Sequence, residues 1–207
     1  MNASRKALIG LTIMLIGDLV IDQVTKEHAH RDRMVWEDPR NVETYQGSRY
    51  ELFVFGEPEN SNFYLSGGIN YVRNQGAAWG ALSDVKESFR VPFFYGVTIL
   101  AVFMILQFFR TTPPEHHLAR FSLALILAGA VGNFIDRVQR GYVIDFLSVK
   151  WNLLGWRYHF PNFNIADSSI TIGVTLLLID MIVLEGQRRK RASAAGGEGT
   201  SNAAAIS

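Results

Sequence analysis

The chain has 207 residues, of which 20 are lysine or arginine and 19 are aspartate or glutamate, so its formal net charge is +1. So small a charge excludes binding to nucleic acid through a strongly basic surface. The absence of cysteine excludes a disulfide framework, a thiolate nucleophile and a cysteine-ligated metal site. The hydrophobic residues, 48% of the chain, are concentrated in a few segments rather than spread evenly.

Four apolar segments are long enough to cross a bilayer, which takes about 20 residues. In the last of them, no polar face with a 3.6-residue period exists between Ser168 and Ile179, as a surface helix of a soluble protein would have. The alternative, a soluble protein with four buried helices, needs a longer chain. The predicted membrane spans cover about residues 7–24, 92–109, 118–135 and 165–184.

The first segment has the basic start of a cleaved signal peptide, at Arg5 and Lys6. The residues that follow it, from Asp22 to Lys26, contain no cleavage site built on small residues, so we interpret it as a retained helix. Basic residues at 5–6, 110, 120 and 188–191 predict that both termini are cytoplasmic, although other basic residues lie between spans three and four. The Gly- and Ala-rich stretch at 192–207 is predicted to be a disordered tail.

Two segments then face outward, at about 27–90 and 136–164. In the first, Glu51–Phe55 and Asn62–Val72 are rich in aromatic and branched residues, which favours short strands. In the second, Tyr142–Val149 is apolar, and the aromatic residues between Trp151 and Phe163 are typical of the membrane interface.

Polar residues lie near the outer ends of spans one, three and four, where charged groups are costly and mark functional sites. They are Asp22, Lys26, Asn133, Asp136, Arg137, Asp145, Asn164 and Asp167. The spacing of Asp22 and Lys26 favours a simple ion pair at a helix end, and Arg137 either serves the site or pairs with Asp136.

Asp145 and Asp167 stand on opposite sides of the aromatic segment. Two carboxyls held close together in a poorly hydrated site cannot both ionise cheaply, so one keeps a proton near neutral pH. The ionised partner can then deprotonate water while the protonated one donates to a carbonyl oxygen. This pair therefore suggests amide hydrolysis without a metal, and the five histidines show no metal-binding spacing.

Five motifs carry a family resemblance in order along the chain. They are DQVTK at 22–26, NQGAAWG at 74–80, GAVGNFIDR at 129–137, GYVIDF at 141–146 and FNIADS at 163–168. In this order, and in register with four spans, they resemble lipoprotein signal peptidase (signal peptidase II). The resemblance covers about residues 6–184.

The resemblance implies an all-α membrane protein with four transmembrane helices and a small extracytoplasmic β-cradle and lid. Such proteins are globomycin-sensitive aspartyl endopeptidases of the bacterial cytoplasmic (inner) membrane, which cut prolipoproteins just before a diacylglyceryl-modified cysteine. Their implied partners are these substrates and membrane lipids, with no nucleic acid, no cofactor, no metal and a monomeric state.

By the same resemblance, Asp145 and Asp167 are the catalytic pair. The residues implied to bind substrate or organise the site are Asn74, Gly76, Gly129, Asn133, Arg137, Asn164, Asp22 and Lys26. Two features depart from the family pattern, an acidic stretch at about 28–60 and Trp79 where phenylalanine is commoner. We expect the stretch to enlarge the outward cradle or lid.

Three other functions remain as alternatives. A small transporter or channel needs carboxylates along a path through the bilayer, where only Asp18 and Asp180 lie deeper. Another kind of intramembrane aspartyl protease is expected to carry a G-x-G-D motif, which this sequence lacks. An inactive scaffold has no need of both aspartates.

Overall fold

The helices of the computed structural model, which describes residues 3–31, 50–56, 63–76 and 86–204, form an antiparallel bundle. They are α1 (Ala3–Arg31), α2 (Glu87–Thr111), α3 (His117–Arg140) and α4 (Ile165–Ala204). Within the described residues, four stretches are long and apolar enough to span a membrane: Arg5–Arg31, Ser88–Thr111, His117–Arg140 and Ile165–Leu184. The predicted number of spans is confirmed, and each stretch overlaps the corresponding predicted span.

Two of the predicted spans ended too early. Helix α1 continues past Val24 to Arg31, and α3 continues past Ile135 to Arg140. The charged residues that were expected to end these spans are paired inside the protein, so the helices extend through them. Helix α3 ends at Gly141, whose left-handed backbone (φ 77°) lets its N–H donate to the carbonyl of Arg137.

Helix α4 also differs from the prediction, since it runs to Ala204 through most of the stretch that we expected to be a disordered tail. Between residues 187 and 195 the sequence is QRRKRASAA, which is rich in residues of high helix propensity. The last three residues, 205–207, lie outside the described part of the chain.

Four antiparallel strands form one sheet in the order β1 (Tyr50–Phe55), β2 (Phe63–Asn74), β3 (Val143–Leu153) and β4 (Trp156–Phe163). The strands expected near 51–55 and 62–72 are thus confirmed. A two-residue turn at Leu154 (φ 52°) and Gly155 (φ 87°) joins β3 to β4, which is the geometry of a type I′ hairpin. The four helices that could span a membrane and the small sheet together confirm the expected fold class.

Helix α3 is the centre of the bundle, in contact with α1, α2 and α4. Its buried face carries mostly small residues, including Ala128, Gly129 and Gly132, which allow close packing inside a membrane protein. By contrast, α1, α2 and α4 expose large apolar side chains such as Ile13, Phe103 and Ile182. This surface suits contact with lipid chains.

The sheet meets the bundle at the end where α3 stops and α4 begins. Strand β3 starts just after α3, and β4 ends just before α4, so both strands are anchored there. The first four residues of β3 are all buried, whereas all of β1 is exposed. Trp79 and much of the acidic stretch lie outside the described residues, and the expected lid stays a prediction.

Candidate active site

Asp145 and Asp167, the predicted catalytic pair, lie at this junction of sheet and bundle. Asp145 is the third residue of β3 and is 2% exposed, and Asp167 is the third residue of α4. Because β3 leaves α3 and β4 leads into α4, the topology brings the start of β3 to the start of α4. The structure therefore brings together two carboxyls that are far apart in sequence.

Two asparagine amides hold the carboxylate of Asp145. Asn164 Nδ2 donates to Asp145 Oδ1 (2.8 Å), and Asn74 Nδ2 donates to Asp145 Oδ2 (2.9 Å). The N–H of Gly76 donates to Asn74 Oδ1 (2.9 Å), so the nitrogen of the Asn74 amide is the atom left facing Asp145. Gly76, expected in the site, thus acts through its peptide N–H.

Asp167 is held at the first turn of α4. Asn164 Oδ1 accepts from the N–H of Asp167 (2.9 Å), and Asp167 Oδ2 accepts from the N–H of Asn164 (3.2 Å). This reciprocal pair is a capping box, which satisfies two donors at the start of the helix. Asn133 Nδ2 donates to the other oxygen, Asp167 Oδ1 (2.8 Å), and so ties the dyad to α3.

Asn164 and Asn133 also join the two halves of the site. Asn164 Nδ2, which contacts Asp145, lies 3.2 Å from Asn133 Oδ1, while Asn133 Nδ2 contacts Asp167. Asn164 is completely buried and Asn133 is 8% exposed, so water competes little for these bonds. One short chain of amides therefore connects the carboxyls.

Within the described residues, no lysine or arginine forms an ion pair with Asp145 or Asp167. Loss of hydration raises the pKa of Asp145 from 3.8 to about 7, and the nearby charge of Asp167 acts in the same direction. The amides of Asn74 and Asn164 and the charge of Lys26 oppose this rise in pKa. Asp145 can therefore exchange a proton near neutral pH.

Arg137 lies beside the dyad, one helical turn after Asn133. Its guanidinium donates to the carbonyls of Gly76 (3.3 Å) and Asn133 (3.4 Å) and stacks over the ring of Phe94, 4.7 Å from its centroid. Of the two readings offered by the sequence, pairing with Asp136 is wrong, because Asp136 binds other cations. Arg137 instead lines a small open cleft together with Gln75, Arg90, Val91, Phe94, Tyr95 and Gly141.

Lys26 and Asp22 are part of a larger buried network than the simple ion pair expected from their spacing. Lys26 Nζ lies 2.8 Å from Asp22 Oδ2 and 3.1 Å from Asp136 Oδ2, and all three side chains are almost fully buried. It also donates to Asn133 Oδ1 (2.9 Å). We name this group the ion layer (Asp22, Lys26 and Asp136). It is joined to the dyad through Asn133.

Gly129 permits the close contact of α3 with α4. A Cβ at this position would clash with the carbonyl oxygen of Ala166, the residue before Asp167. At Gly132, a Cβ would lie 2.6 Å from Asp22 Oδ2. Any larger side chain at either position would displace a group that supports the site.

The sequence marked Asp136 only as a polar residue near a span end or a partner of Arg137 and assigned no role to Gln23, whereas Asp136 belongs to the ion layer and Gln23 contacts it. Gln23 Nε2 donates to Asp22 Oδ2 (3.1 Å) and to the carbonyl of Gly132 (3.2 Å). The available signal was the spacing of Asn133 and Asp136, three residues apart on one helical face. Across the described residues, no group of three or more His, Asp or Glu side chains could hold a metal ion.

Comparison with known proteins places this arrangement in a family. The family model described as signal peptidase (SPase) II, Peptidase_A8, matches residues 13–183. A protein of Geobacter sulfurreducens named lipoprotein signal peptidase is 42% identical over 177 residues, covering 86% of this chain and 92% of the relative. A namesake from Geobacter metallireducens is 41% identical over 179 residues, covering 86% and 94%.

The fold is also similar to that of solved structures. A solved structure described as a bacterial membrane enzyme is 34% identical and covers 84% of this chain and 87% of its own, with a TM-score of 0.57. A second such structure is also 34% identical, with a TM-score of 0.55 over 83% of this chain and 92% of its own. The sequence motifs, the four spans and the family match agree, and the chain belongs to the signal peptidase II family of membrane proteases.

Proposed function

We propose that this protein is an aspartyl endopeptidase that removes the signal peptide from diacylglyceryl-modified prolipoproteins, cutting immediately before the lipidated cysteine. Family membership supports the substrate class. The observation that carries the catalytic assignment is the joining of Asp145 to Asp167 through Asn133 and Asn164, with no cation paired to either carboxyl among the described residues.

The proposed reaction uses one proton that the two carboxyls of the dyad share. The ionised carboxylate removes a proton from water as the oxygen attacks the carbonyl carbon, and the protonated carboxyl donates to the carbonyl oxygen. When the C–N bond breaks, the leaving cysteine amine takes the proton from the first carboxyl. The second carboxyl regains its proton from the gem-diol, so the pair returns to its starting state.

Arg137 and the cleft beside it are proposed to orient the substrate. The guanidinium lines the cleft and is fixed by the carbonyls of Gly76 and of Asn133, whose side chain binds Asp167. A fixed cation at this place favours the negative charge that develops on the scissile carbonyl oxygen. The apolar wall, including Val91 and Phe94, suits a substrate that arrives within the bilayer.

The location of the protein is proposed to be the bacterial cytoplasmic membrane, with both termini in the cytoplasm. Basic residues at 5–6 and 188–191 support this orientation under the positive-inside rule. The sheet and the dyad then face the extracytoplasmic side, where prolipoproteins emerge. We further propose that the protein acts as a monomer and needs no cofactor.

The test is cleavage by the purified protein in detergent of a prolipoprotein that carries the diacylglyceryl group, beside the same precursor without it. We expect cleavage of the lipidated form alone, and its inhibition by globomycin. Equal cleavage of the two precursors would contradict the proposed lipid recognition.

The catalytic assignment is tested in the same assay with Asp145→Asn and Asp167→Asn. The matched control is Asp180→Asn, which removes a carboxyl elsewhere on α4. Loss of turnover is expected in the first two variants and retention in the control. Full activity in either dyad variant contradicts the assignment.

A further inference from the structure

We propose that Asp136 is a positioning residue for the dyad, acting through the backbone N–H of Ile144, the residue before Asp145, and through Lys26. This inference rests on the proposed function and adds a residue to which the sequence resemblance assigned no role. The ion layer holds the backbone immediately before each dyad aspartate, and Asp136 supplies one of the two arms.

The first arm runs from Asp136 to β3. Asp136 Oδ2 accepts a hydrogen bond from the N–H of Ile144 (3.2 Å), and Ile144 is completely buried. Because Ile144 directly precedes Asp145 in β3, the carboxylate of Asp136 fixes the backbone one residue before Asp145 and so sets where β3 presents Asp145. The same oxygen lies 3.1 Å from Lys26 Nζ, so its position depends on the ion pair.

The second arm runs from Asp22 to α4. Asp22 Oδ1 accepts from the N–H of Ala166 (2.9 Å), which is also completely buried and directly precedes Asp167. Asp22 Oδ2 lies 2.8 Å from Lys26 Nζ. The two arms are thus alike, since each joins Lys26 through one carboxylate to the backbone N–H of the residue that precedes a dyad aspartate.

Lys26 adds a third link through Asn133. An ammonium group only donates, so Asn133 must turn its oxygen toward Lys26 (2.9 Å) and its nitrogen toward Asp167. The charge of Asp136 holds Lys26 on this side, and Arg140 binds the other oxygen of Asp136 at 2.8 Å. Neutralising Asp136 therefore disturbs both the start of β3 and the amide that binds Asp167.

A purely structural role for Asp136 is distinguishable from this one by the pH dependence of catalysis. The charged groups that act on Asp145 are Asp167 from α4, Lys26 from α1 and Arg137 from α3. When Asp136 loses its charge, the charge of Lys26 is less compensated and favours the ionised form of Asp145. The pKa of Asp145 then falls, and the limb of the pH profile that it governs moves to lower pH.

The experiment compares Asp136→Asn with Glu27→Gln in the lipidated-prolipoprotein assay. In Asp136→Asn, an amide N–H₂ faces Lys26 or Arg140, which only donate. We expect kcat to fall roughly 10- to 100-fold with KM within about twofold, as for a small displacement of reacting groups. We also expect the Asp145 limb of the pH profile to move to lower pH.

The control, Glu27→Gln, removes the neighbouring partner of Arg140 (3.1 Å), a side chain that is 41% exposed. It alters the edge of the network and leaves both arms in place, so kcat and the pH profile are expected to stay as in the wild type. Equal kinetics for Asp136→Asn and this control would overturn the proposal.

A second variant, Asp136→Glu, keeps the proposal testable if Asp136→Asn does not fold. It retains the charge but shifts the carboxylate by one methylene, so we expect a lower kcat with an unmoved pH limb. Wild-type kcat in this variant would count against the positioning role. Failure of the wild-type protein itself to cleave the lipidated precursor would instead contradict the proposed function.

Discussion

Two pairs of aspartates lie close together in this protein but have different kinds of partner. Asp22 and Asp136 share the ammonium of Lys26, at 2.8 and 3.1 Å. Asp145 and Asp167 receive hydrogen bonds from amides and a peptide N–H instead, and no ion pair among the described residues reaches them. Asp22, Asp136 and Asp145 are buried and Asp167 is partly buried, and the two pairs differ in the charge of their partners.

The difference shows how one buried site can hold both structural and reactive carboxyls. A cation close to a carboxylate stabilises its ionised form and makes it a fixed acceptor for peptide N–H groups. Neutral donors compensate the cost of burial only in part, so the carboxyl of Asp145 can take up a proton near neutral pH. The ion layer is therefore built around a buried cation, whereas the dyad is held by neutral donors.

The largest expected effect is the loss of activity on removing a reactive carboxyl. Asp145→Asn is expected to lower kcat/KM by on the order of 10³-fold or more, since no other group replaces its proton transfer. Asp180→Asn is the matched control, and a similar loss in it would show that the effect is not specific to the dyad.

Asp145→Asn is also expected to raise the free energy of unfolding, by about 1–3 kcal/mol at pH 8, once the loss of one accepted hydrogen bond is included. The pKa of Asp145 is about 7 in the folded protein against 3.8 for the free group, so the wild type loses stability as the pH rises through this interval. The gain therefore shrinks as the pH falls toward 4. Unfolding in detergent at several pH values measures it, and a loss of stability at pH 8 contradicts the prediction.

The ion layer is expected to respond in the opposite way. Lys26→Met keeps much of the side-chain volume but leaves Asp22 and Asp136 buried without their shared cation, which costs about 3–5 kcal/mol. A lower midpoint of thermal unfolding in detergent, relative to Lys6→Met at the chain terminus, would support this. An unchanged midpoint would show that the layer contributes no stability.

Two glycines of α3 each support a different pair of aspartates, Gly129 the dyad and Gly132 the ion layer. Gly129→Ala places a methyl against the carbonyl of Ala166 next to the dyad, and Gly132→Ala places one 2.6 Å from Asp22 in the ion layer. Each is expected to cost about 1–3 kcal/mol by overpacking. Gly96→Ala in α2 meets nothing within 4 Å and serves as the control, with an expected small gain in stability. Equal stability of all three variants would contradict the close packing.

The smallest effect is expected from one hydrogen bond to the dyad. Asn74→Ala removes the donor at 2.9 Å that favours ionised Asp145. The pKa of Asp145 rises further, so the limb of the kcat/KM profile that it governs should move to higher pH, opposite to the shift expected for Asp136→Asn. A shift to lower pH would contradict the assignment of this limb to Asp145.

Much of the fold was predictable because it depends on local composition. Four long apolar runs gave four spans, and branched and aromatic residues around Phe53 and Ile69 gave two of the strands. The ends of α1 and α3 were not predictable from hydropathy, because Lys26 and Asp136 look like interfacial charges until their partners are known. The helical course of α4 beyond residue 191 was missed because its Gly- and Ala-rich composition suggested disorder.

For the candidate site, the motifs identified Asp145, Asp167 and the asparagines, and composition alone could not show that they meet. The orientation of each amide depends on its neighbours: Lys26 turns Asn133, and the N–H of Gly76 turns Asn74. Such partners come from different elements, so no local pattern encodes them.

The sequence by itself determined the class of this protein: a net charge of +1 averaged over four apolar spans and polar segments, no cysteine, and two aspartates in family motifs. The tertiary structure decided which carboxyls are paired to a cation and which are not. The physical reason is that the state of a buried carboxyl depends on its hydration and on charges a few ångströms away. Those distances are set by the packing of α1, α3, β3 and α4, and not by spacing along the chain.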